Sequence, residues 1–509
     1  MAWLTLAASL FILASRALAK TQPIEVKGSK FFYKNGTQFF IKGIAYQQEA
    51  AASTASRKTK YLDPLADEAS CKRDVLVLEE LGINTIRTYH IDPTAKHDVC
   101  MQLLQDAGIY VISDLGEPDV SINREDPRWD VTLFARYRKV VDELAKYPNV
   151  IGFFVGNEVS DSANTSTASV YVKAAVRDMK RYVKENKKIS RWLGFGYAAN
   201  DASVIRDDIV DYFGCGPAET RIDFWGYNVY SWCGDSDIKR SHFAERAEYF
   251  RDFEAPVFFA EYGCNQIKGG GAAREFKETA ALYSDEISSV FSGGIVYMYF
   301  QEENDYGLIQ VSNGQVTRFE AFGALKAQLR KQPKAISRDA YTPRTEPRSC
   351  PPVSPIWQSH PNLPPTPNSA LCQCMYNSRT CIPSSILSAA SYSEIFNYIC
   401  GASESACETI ASHPETGVHG NYTMCDDTAK LAAVLDAYYK EQVTPSACKF
   451  DGKAKIQKPR EDKACAKTVD DAWSEIVSAD EDSAARGFGA GGFVDVFVVA
   501  VLVAALVAF

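Results

Sequence analysis

The 509-residue sequence lacks several features that point to common functional classes. Its 55 Lys and Arg are outnumbered by 64 Asp and Glu, and the net charge of −9 with no basic patch argues against a nucleic-acid partner. Its six histidines do not cluster near cysteines, as zinc ligands usually do. No glycine-rich phosphate loop follows the first strand-like run, which removes the usual nucleotide cofactor. We therefore expect neither a metal nor a cofactor.

Cysteine, by contrast, is abundant at fourteen residues, six before residue 351 and eight between residues 372 and 465. Both groups are even, as expected for disulfides in a secreted chain. Zinc is the alternative, but Cys372 and Cys374 are closer together than paired zinc ligands usually are. The pattern therefore favours disulfides.

Both ends of the chain are typical of targeting segments. Residues 1–19 contain an apolar run that ends in Ala-Leu-Ala, the pattern of a signal peptide. Residues 484–509 combine small residues with an apolar tail, 493–509, that is marginal for a membrane span and has no basic residue after it. This predicts a GPI-anchor signal with attachment at Ser483 or Gly487, although a transmembrane anchor is the alternative. We expect the mature protein on the extracellular face of the plasma membrane.

Strand-like and helix-like segments alternate between the two ends. Helical periodicity is clear at Cys71–Leu81 and is also predicted for 276–291. Eight such units in roughly 270 residues predict an α/β fold, a (β/α)₈ TIM barrel, with a doubly wound open sheet as the alternative. The strand-like runs are Phe39–Tyr46, Thr85–Ile91, Ile109–Leu115, Val150–Gly156, Trp192–Tyr197, Phe224–Tyr230, Val257–Tyr262 and Ile295–Phe300.

Composition divides the remaining chain into domains, with the barrel predicted over residues 20–335. Residues 336–370 are rich in proline, which predicts a stiff, extended linker. Residues 371–466 contain eight cysteines and predict a small disulfide-rich module, followed by an acidic stalk at 467–483. Glycosylation is expected at the sequons of Asn35, Asn164 and Asn421.

Two strand-like runs end in a glutamate, at the edge of the barrel where active sites of this fold lie. Asn157 and Glu158 follow one run, and Glu261 ends another 103 residues later. This separation equals three strand–helix units of about 34 residues, which places the glutamates on the fourth and seventh strands. Glycoside cleavage requires one carboxylic acid to protonate the leaving oxygen and one carboxylate to capture the anomeric carbon. Each glutamate alone could instead be a salt-bridged strand end.

Aromatic and polar residues on the same rim are candidates for sugar contacts, because rings pack on sugar C–H groups and polar side chains bind hydroxyls. A long polar loop, 114–129, follows the third strand, and Asp201 and Arg206 follow the fifth. The aromatic candidates are Tyr89, Tyr230, Trp232, Tyr297 and Tyr306.

These residues resemble glycoside hydrolase family 72, the fungal β-1,3-glucanosyltransferases, over residues 24 to about 350. The cysteine-rich segment resembles the X8 or family 43 carbohydrate-binding module, including Ala-Cys-Lys-Phe-Asp-Gly at 447–452. The matching motifs are Tyr-His at 89–90, the loop from Asp114 to Arg124, Gly-Asn-Glu at 156–158, Trp-Cys-Gly at 232–234, Glu-Tyr-Gly-Cys at 261–264 and Tyr-Gly-Leu at 306–308.

The resemblance implies a retaining enzyme that cleaves β-1,3-glucan internally and transfers the new reducing end to the non-reducing end of a second chain. Glu158 would be the acid/base and Glu261 the nucleophile. The implied disulfides are Cys71–Cys100, Cys215–Cys350 and Cys233–Cys264. The implied donor contacts are Tyr89, Gly116, Glu117, Ser121, Ile122, Asn123, Arg124, Asn157 and Tyr297, with Asp201 and Arg206 on the acceptor side; Asp114, Tyr230 and Tyr306 complete the predicted substrate-binding set.

Two other functions remain open at this point. A hydrolytic endo-β-1,3-glucanase would use the same two glutamates, with water as the acceptor. A non-catalytic protein that binds wall glucan is the second alternative, although it would not need both strand-end glutamates.

Phosphatidylinositol-specific phospholipase C is expected to release the protein from membranes, because the short C-terminal tail predicts a lipid anchor rather than a spanning helix. Partitioning between detergent and aqueous phases measures the release. Retention in the detergent phase after treatment would indicate a transmembrane anchor.

Overall fold

The computed structural model describes residues 21–50, 60–117, 120–344 and 346–460, together with Cys465. The predicted signal peptide, acidic stalk and anchor signal lie outside the described residues. Among the described residues, no helix has the length and apolar character needed to cross a bilayer. The chain divides into two compact units, one of residues up to Pro367 with Glu408–Asp426, and one of Asn368–Cys407 with the residues from Asp427 onward.

Eight parallel strands form a closed barrel in the first unit, as predicted. The last strand pairs with the first, with Gly294 opposite Lys42, and this closes the sheet. The strands are buried along almost their whole length, which explains why their sequences are apolar on both faces. They are β1 (Ile41–Ala45), β2 (Thr85–Thr88), β3 (Tyr110–Asp114), β4 (Val150–Asn157), β5 (Gly194–Ala199), β6 (Phe224–Val229), β7 (Val257–Tyr262) and β8 (Phe291–Val296).

Helices follow the strands, and two of them begin at a capping aspartate. Asp67 and Asp130 each accept hydrogen bonds from two backbone N–H groups at the first turn of a helix, and Gly82 ends the first helix in the left-handed conformation. The helices are α1 (Glu68–Leu81), α2 (Asp98–Asp106), α3 (Val131–Leu144), α4 (Ser169–Glu185), α5 (Arg206–Gly214), α6 (Phe243–Phe250), α7 (Lys277–Leu282), α8 (Asp285–Ser288) and α9 (Glu320–Leu329).

Two elements near the end of the barrel differ from the sequence prediction. The last strand begins at Phe291 and ends at Val296, about four residues earlier than predicted. Gly293, with φ +100°, passes the carbonyl oxygen of Ile41 so closely that an added Cβ would lie 2.0 Å from it. The helix predicted for 276–291 is divided into α7 and α8. The aromatic residues after Val296 therefore lie beyond the strand, on the carboxyl rim.

A three-stranded antiparallel sheet packs on the amino-terminal end of the barrel. Its strands are Glu25–Lys27, Lys30–Phe32 and Gln38–Phe39. The Phe39 ring lies 5.2 Å from Tyr110 on β3, between ring centroids, so apolar packing fills this end. Two short hairpins, Glu49–Ala50 with Lys60–Tyr61 and Ile309–Ser312 with Gln315–Arg318, complete the strands of this part. The opposite end carries the loops with the predicted site residues.

The proline-rich segment differs from the predicted spacer, because residues 336–367 pack within the first unit. Trp357 is fully buried, with its ring 5.2 Å from Tyr212 on α5. Ser359 is also fully buried. The contacts of the segment come from side chains between the prolines. Residues 408–426, within the predicted module, belong to the same unit and include the hairpin of Ser412–His413 and Val418–His419.

All fourteen cysteines are disulfide-bonded, which leaves no thiolate ligand for zinc. In the first unit the pairs are Cys71–Cys100, Cys215–Cys350 and Cys233–Cys264, the same pairs that the resemblance implies. In the second unit they include Cys374–Cys465, Cys381–Cys448 and Cys400–Cys407.

The second unit contains three helices and a short two-stranded antiparallel sheet of Cys381–Pro383 and Ala454–Ile456. Asp436 is fully buried, and its Oδ1 accepts hydrogen bonds from the backbone of Thr380 and Cys381 at 2.7 and 3.2 Å. The buried carboxylate therefore ties the last helix to the first strand of this sheet. The helices are α10 (Ser369–Ser378), α11 (Ala389–Ala402) and α12 (Asp427–Gln442).

His97, in the loop after β2, is a buried charge centre of the first unit. Its Nε2 lies 2.8 Å from Asp63 and its Nδ1 lies 3.1 Å from Glu143 on α3. Burial opposes the charge, but the two carboxylates outweigh burial and raise the pKa of His97 above 6.5. The resulting stability is present below pH 6.5 and is lost as the pH rises through the raised pKa.

The substitution His97→Gln is expected to lower the free energy of unfolding by about 3 kcal/mol at mildly acidic pH, because two buried carboxylates lose their cation. The loss should shrink as the pH rises through the pKa of His97, and thermal unfolding at a series of pH values measures it. His242→Gln, which removes an exposed His–Glu pair, is the control and should leave Tm unchanged. A loss independent of pH would contradict the charged state of His97.

Candidate active site

The two glutamates predicted from the sequence lie at the carboxyl ends of β4 and β7. Glu158 directly follows the last residue of β4, and Glu261 is the penultimate residue of β7. Glu261 is 8% exposed, whereas Glu158 is half-buried. The two carboxyl groups therefore meet solvent to different degrees, and such a difference can separate the pKa values of two carboxyl groups.

A fully buried arginine on β2 connects the site. Arg87 forms a two-pronged ion pair with Asp114 on β3, with both N–O distances 3.0 Å. Its guanidinium also donates to Asn157 on β4 at 3.0 Å and to Glu261 on β7 at 3.2 Å. The same group lies 4.2 Å from the ring centre of Tyr89. One cation thus reaches polar groups on three other strands.

Glu261 is held by three donors. One carboxylate oxygen accepts from Arg87 and from the Tyr89 hydroxyl at 2.9 Å, and the other accepts from the Tyr230 hydroxyl at 2.9 Å. Burial raises the pKa of Glu261, and nearby Glu158 adds to the rise, while Arg87 and the two hydroxyls oppose it. The donors fix the carboxylate in one orientation and supply it with stabilising hydrogen bonds.

Glu158 has a different environment, set by two asparagines. Asn228 on β6 donates to the Glu158 carboxyl at 2.8 Å and to the side-chain oxygen of Asn157 at 3.2 Å. Glu158 adopts a left-handed backbone conformation, φ +51°, and its N–H donates to Ala198 on β5 at 2.8 Å. This bend directly after β4 is unusual for a residue with a side chain, and it redirects the chain at the rim.

Four tyrosines form a wall beside Glu261. The Tyr297 ring lies 6.3 Å from Tyr89 and 5.2 Å from Tyr306, and Tyr306 lies 5.8 Å from Tyr230, all edge to face. All four are half-buried, so parts of the rings remain accessible. Trp232, the fifth aromatic candidate, is instead buried and packs against Phe243 at 5.3 Å. Of the five aromatic candidates, the four tyrosines therefore form the wall and Trp232 does not.

The loop after β3 contributes side chains of several kinds. Glu117 lies 3.2 Å from His90 and 3.6 Å from Arg136. Ile122 is buried in the core, so it anchors the loop. Ser121 and Asn123 are exposed, and Gly116 lies so close to Ser121 that a Cβ would lie 3.0 Å from the serine side chain.

Asp201 and Arg206 form an ion pair after β5, with an N–O distance of 3.1 Å. The Tyr227 hydroxyl also donates to Asp201, which fixes the carboxylate. The pair is partly exposed and lies on the carboxyl side of the barrel, where it could bind sugar hydroxyls.

Comparison with known proteins agrees with this geometry. The family model for glucanosyltransferases of glycoside hydrolase family 72 matches residues 13–333, and an X8 domain model matches residues 379–455. A 1,3-beta-glucanosyltransferase of Arthroderma benhamiae is 48% identical over 456 residues, which cover 88% of this chain and 83% of that protein.

The chain belongs to the glucanosyltransferase family. The family member gas1 of Schizosaccharomyces pombe, a 1,3-beta-glucanosyltransferase, is 41% identical, with 87% of this chain and 80% of that protein covered. The structure is also similar to that of a Saccharomyces cerevisiae Gas2p mutant in complex with laminaritetraose and laminaripentaose. That match has a TM-score of 0.78 at 37% identity and covers 89% of this chain and 99% of the other.

Three polar residues of this glucanosyltransferase site were not predicted from the sequence. Asn228 is a buried polar residue inside the otherwise largely apolar β6, and that interruption was the available signal. Arg87 lies between Ile86 and a threonine on β2, where an arginine in a fully buried strand was the available signal. Arg274, also buried, donates to the backbone carbonyls of Gly263 and Tyr297 at 3.0 and 2.7 Å, and to that of Tyr306. It supports the tyrosine wall from behind, and its loop position carried no signal.

The substitution Tyr230→Phe is expected to move the acidic limb of the activity profile to higher pH. Loss of the hydroxyl removes a hydrogen bond that opposes the raised pKa of Glu261, so its pKa rises further. The pH dependence of kcat/KM measures the shift. Tyr262→Phe is the control, because that hydroxyl bonds Thr279 at 3.0 Å. An unchanged acidic limb in Tyr230→Phe would mean that the hydroxyl does not tune Glu261.

Proposed function

We infer that this protein is a β-1,3-glucanosyltransferase that remodels fungal cell-wall glucan. The observation that carries the inference is the pairing of Glu261, buried and held by three donors, with the more exposed Glu158. Family membership and the laminari-oligosaccharide complex of the related Gas2p support β-1,3-glucan as substrate. The reaction needs no metal or cofactor, since these two carboxyl groups supply the acid, base and nucleophile.

In the first step, a Glu261 carboxylate oxygen attacks the anomeric carbon of the donor glucan. The glycosidic C–O bond breaks, and Glu158 gives its proton to the departing oxygen. The reducing-end fragment leaves, and a glycosyl ester remains on Glu261. The attacking carboxylate is oriented by the hydrogen bonds that it accepts from Arg87, Tyr89 and Tyr230.

In the second step, Glu158 is a carboxylate and removes a proton from a non-reducing-end hydroxyl of the acceptor. The hydroxyl oxygen attacks the anomeric carbon, the ester bond breaks, and Glu261 becomes a free carboxylate again. Two inversions retain the original β configuration. Transfer exceeds hydrolysis when a sugar occupies the acceptor side, for which Asp201 and Arg206 are the proposed ligands.

The tyrosine wall and the loop after β3 are proposed to hold the donor chain. Aromatic rings that are partly accessible suit the C–H faces of glucose, and Asn157 is placed to bond a hydroxyl beside the reacting carbon. The side-chain oxygen of Asn157 already accepts from Arg87 and Asn228, so its amide nitrogen is the proposed donor to this hydroxyl.

Outside the barrel, the second unit is proposed to bind or support long glucan chains. It contains a groove of about 520 Å³ that includes Tyr398, Tyr438 and Phe450. We also propose a GPI anchor and an extracellular location, on the basis of residues 1–19 and 484–509, and both suit a wall-modifying enzyme. Exposed Asn35 and Asn164, and half-buried Asn421, are the proposed glycosylation sites.

The decisive measurement is incubation of the soluble ectodomain with reduced laminari-oligosaccharides, followed by product sizing. Products longer than the substrate are expected from a transferase, whereas shorter products alone would identify an endo-glucanase. Glu261→Gln should abolish both activities, because an amide is a poor nucleophile. Glu158→Gln should lower kcat by about 10²–10⁴-fold. Substantial transfer by Glu261→Gln would overturn the assignment.

A further inference from the structure

An ion pair beside the acid/base glutamate has no role in the steps above. Arg124, at the end of the loop after β3, binds Asp161 with one nitrogen of its guanidinium and the backbone carbonyl of Glu158 with the other. These contacts join the loop after β3 to the loop after β4. The two side chains are 36% and 32% exposed, so the pair lies at the edge of the site.

We propose that Arg124 and Asp161 are positioning residues that hold the backbone of Glu158 in the orientation needed for proton donation. The proposal rests on the acid/base role of Glu158 inferred above. It differs from a sugar-binding role for Arg124, since the structure engages its guanidinium with protein groups.

The backbone of Glu158 requires such support. Its left-handed conformation, φ +51°, is sparsely populated for residues with side chains and persists when neighbouring groups hold it. The N–H side is held by Ala198 at 2.8 Å, and the carbonyl side by Arg124. Asn228 bonds the carboxyl itself, so the three contacts together determine where the acidic proton lies.

Asp161 is held in turn by its own loop. Its Oδ1 accepts from the Thr165 hydroxyl at 2.9 Å, and its N–H donates to the same hydroxyl oxygen at 2.9 Å. The other carboxylate oxygen accepts from Arg124. One oxygen of Asp161 therefore binds the arginine, while the other holds the carboxylate to its own loop.

The proline-rich segment anchors the far end of this loop. The backbone N–H of Gln358 donates to the Ser166 hydroxyl at 2.8 Å, and the hydroxyl of buried Ser359 donates to the Ser166 carbonyl at 2.7 Å. Ser166 follows Thr165 directly. A continuous set of contacts thus runs from a segment outside the (β/α)₈ repeat to the carbonyl of Glu158.

The test compares two donors that differ in their need for an acid. When a laminari-oligosaccharide is cleaved, its reducing-end fragment leaves as an alkoxide unless an acid protonates it. A dinitrophenyl laminari-oligosaccharide releases a stable phenolate without protonation. Asp161→Asn keeps the shape of the side chain but removes its charge. On laminari-oligosaccharides we expect kcat to fall about 10- to 100-fold, with KM changed less than about threefold.

On the dinitrophenyl donor, the rate of the phenolate burst should stay within about threefold of the wild-type rate, because this step needs no acid. The burst amplitude counts folded active sites, so partial misfolding of the variant lowers the amplitude and not the rate. Glu25→Gln is the matched control. It breaks the Glu25–Arg338 ion pair near the amino-terminal end of the barrel, whose side chains are 40% and 37% exposed. The rate on either substrate should stay unchanged.

Glu158→Gln separates this inference from the proposed function. Its rate on laminari-oligosaccharides should fall further than that of Asp161→Asn, while its burst rate on the dinitrophenyl donor should be much less affected. If it does not, the acid role of Glu158 is wrong and the inference falls with it. If Glu158→Gln shows the dependence but Asp161→Asn lowers both rates equally, or neither, the positioning role is overturned while the proposed function stands.

Discussion

The buried charge of Arg87 is the constraint on which the barrel and its site both depend. A guanidinium fully removed from water is tolerated only where anions and carbonyl groups replace its hydration, and an unpaired one would cost several kcal/mol. Asp114, Asn157, Ala260 and Glu261 provide those partners from three other strands. Closing the barrel with this residue inside therefore assembles the active site at the same time.

From that centre, two similar side chains acquire different properties. Glu261 lies deep, where burial raises its pKa and three donors hold it in one orientation. Glu158 lies one step further out, on a bent backbone and with Asn228 as its side-chain partner. The proton donation and nucleophilic attack proposed for them need such a division, and the barrel places one glutamate on a strand and the other just after one.

Support for the site comes largely from outside the strands. Arg274 holds the backbone of the tyrosine wall, and the disulfide Cys233–Cys264 joins the loops after β6 and β7. Residues 336–367 brace the loop after β4 through Ser166. Prolines stiffen that segment, which lowers the entropy cost of holding it against the barrel. Its packing makes it part of the catalytic unit.

The sequence by itself determined the barrel and the approximate bounds of most elements. It also determined that one glutamate belongs to the fourth strand and the other to the seventh. Apolar runs that end in Asn157-Glu158 and in Glu261 are local signals, and the strand–helix period converts them into places on a rim. The sequence pattern placed β8 about four residues too late, because Gly293 and Gly294 do not look like strand residues. In the structure these two glycines pair with the backbone of β1.

Only the tertiary structure decided which polar residues serve these glutamates. Arg87, Asn228 and Arg274 are single residues, far apart in the chain, whose partners meet them through barrel closure or loop packing. The same closure buried Trp232 while its rim neighbour Tyr230 reached Glu261, a difference that no local pattern contains. Periodicity records which way a segment faces, whereas hydrogen-bond partners depend on distances between segments that only the folded chain defines.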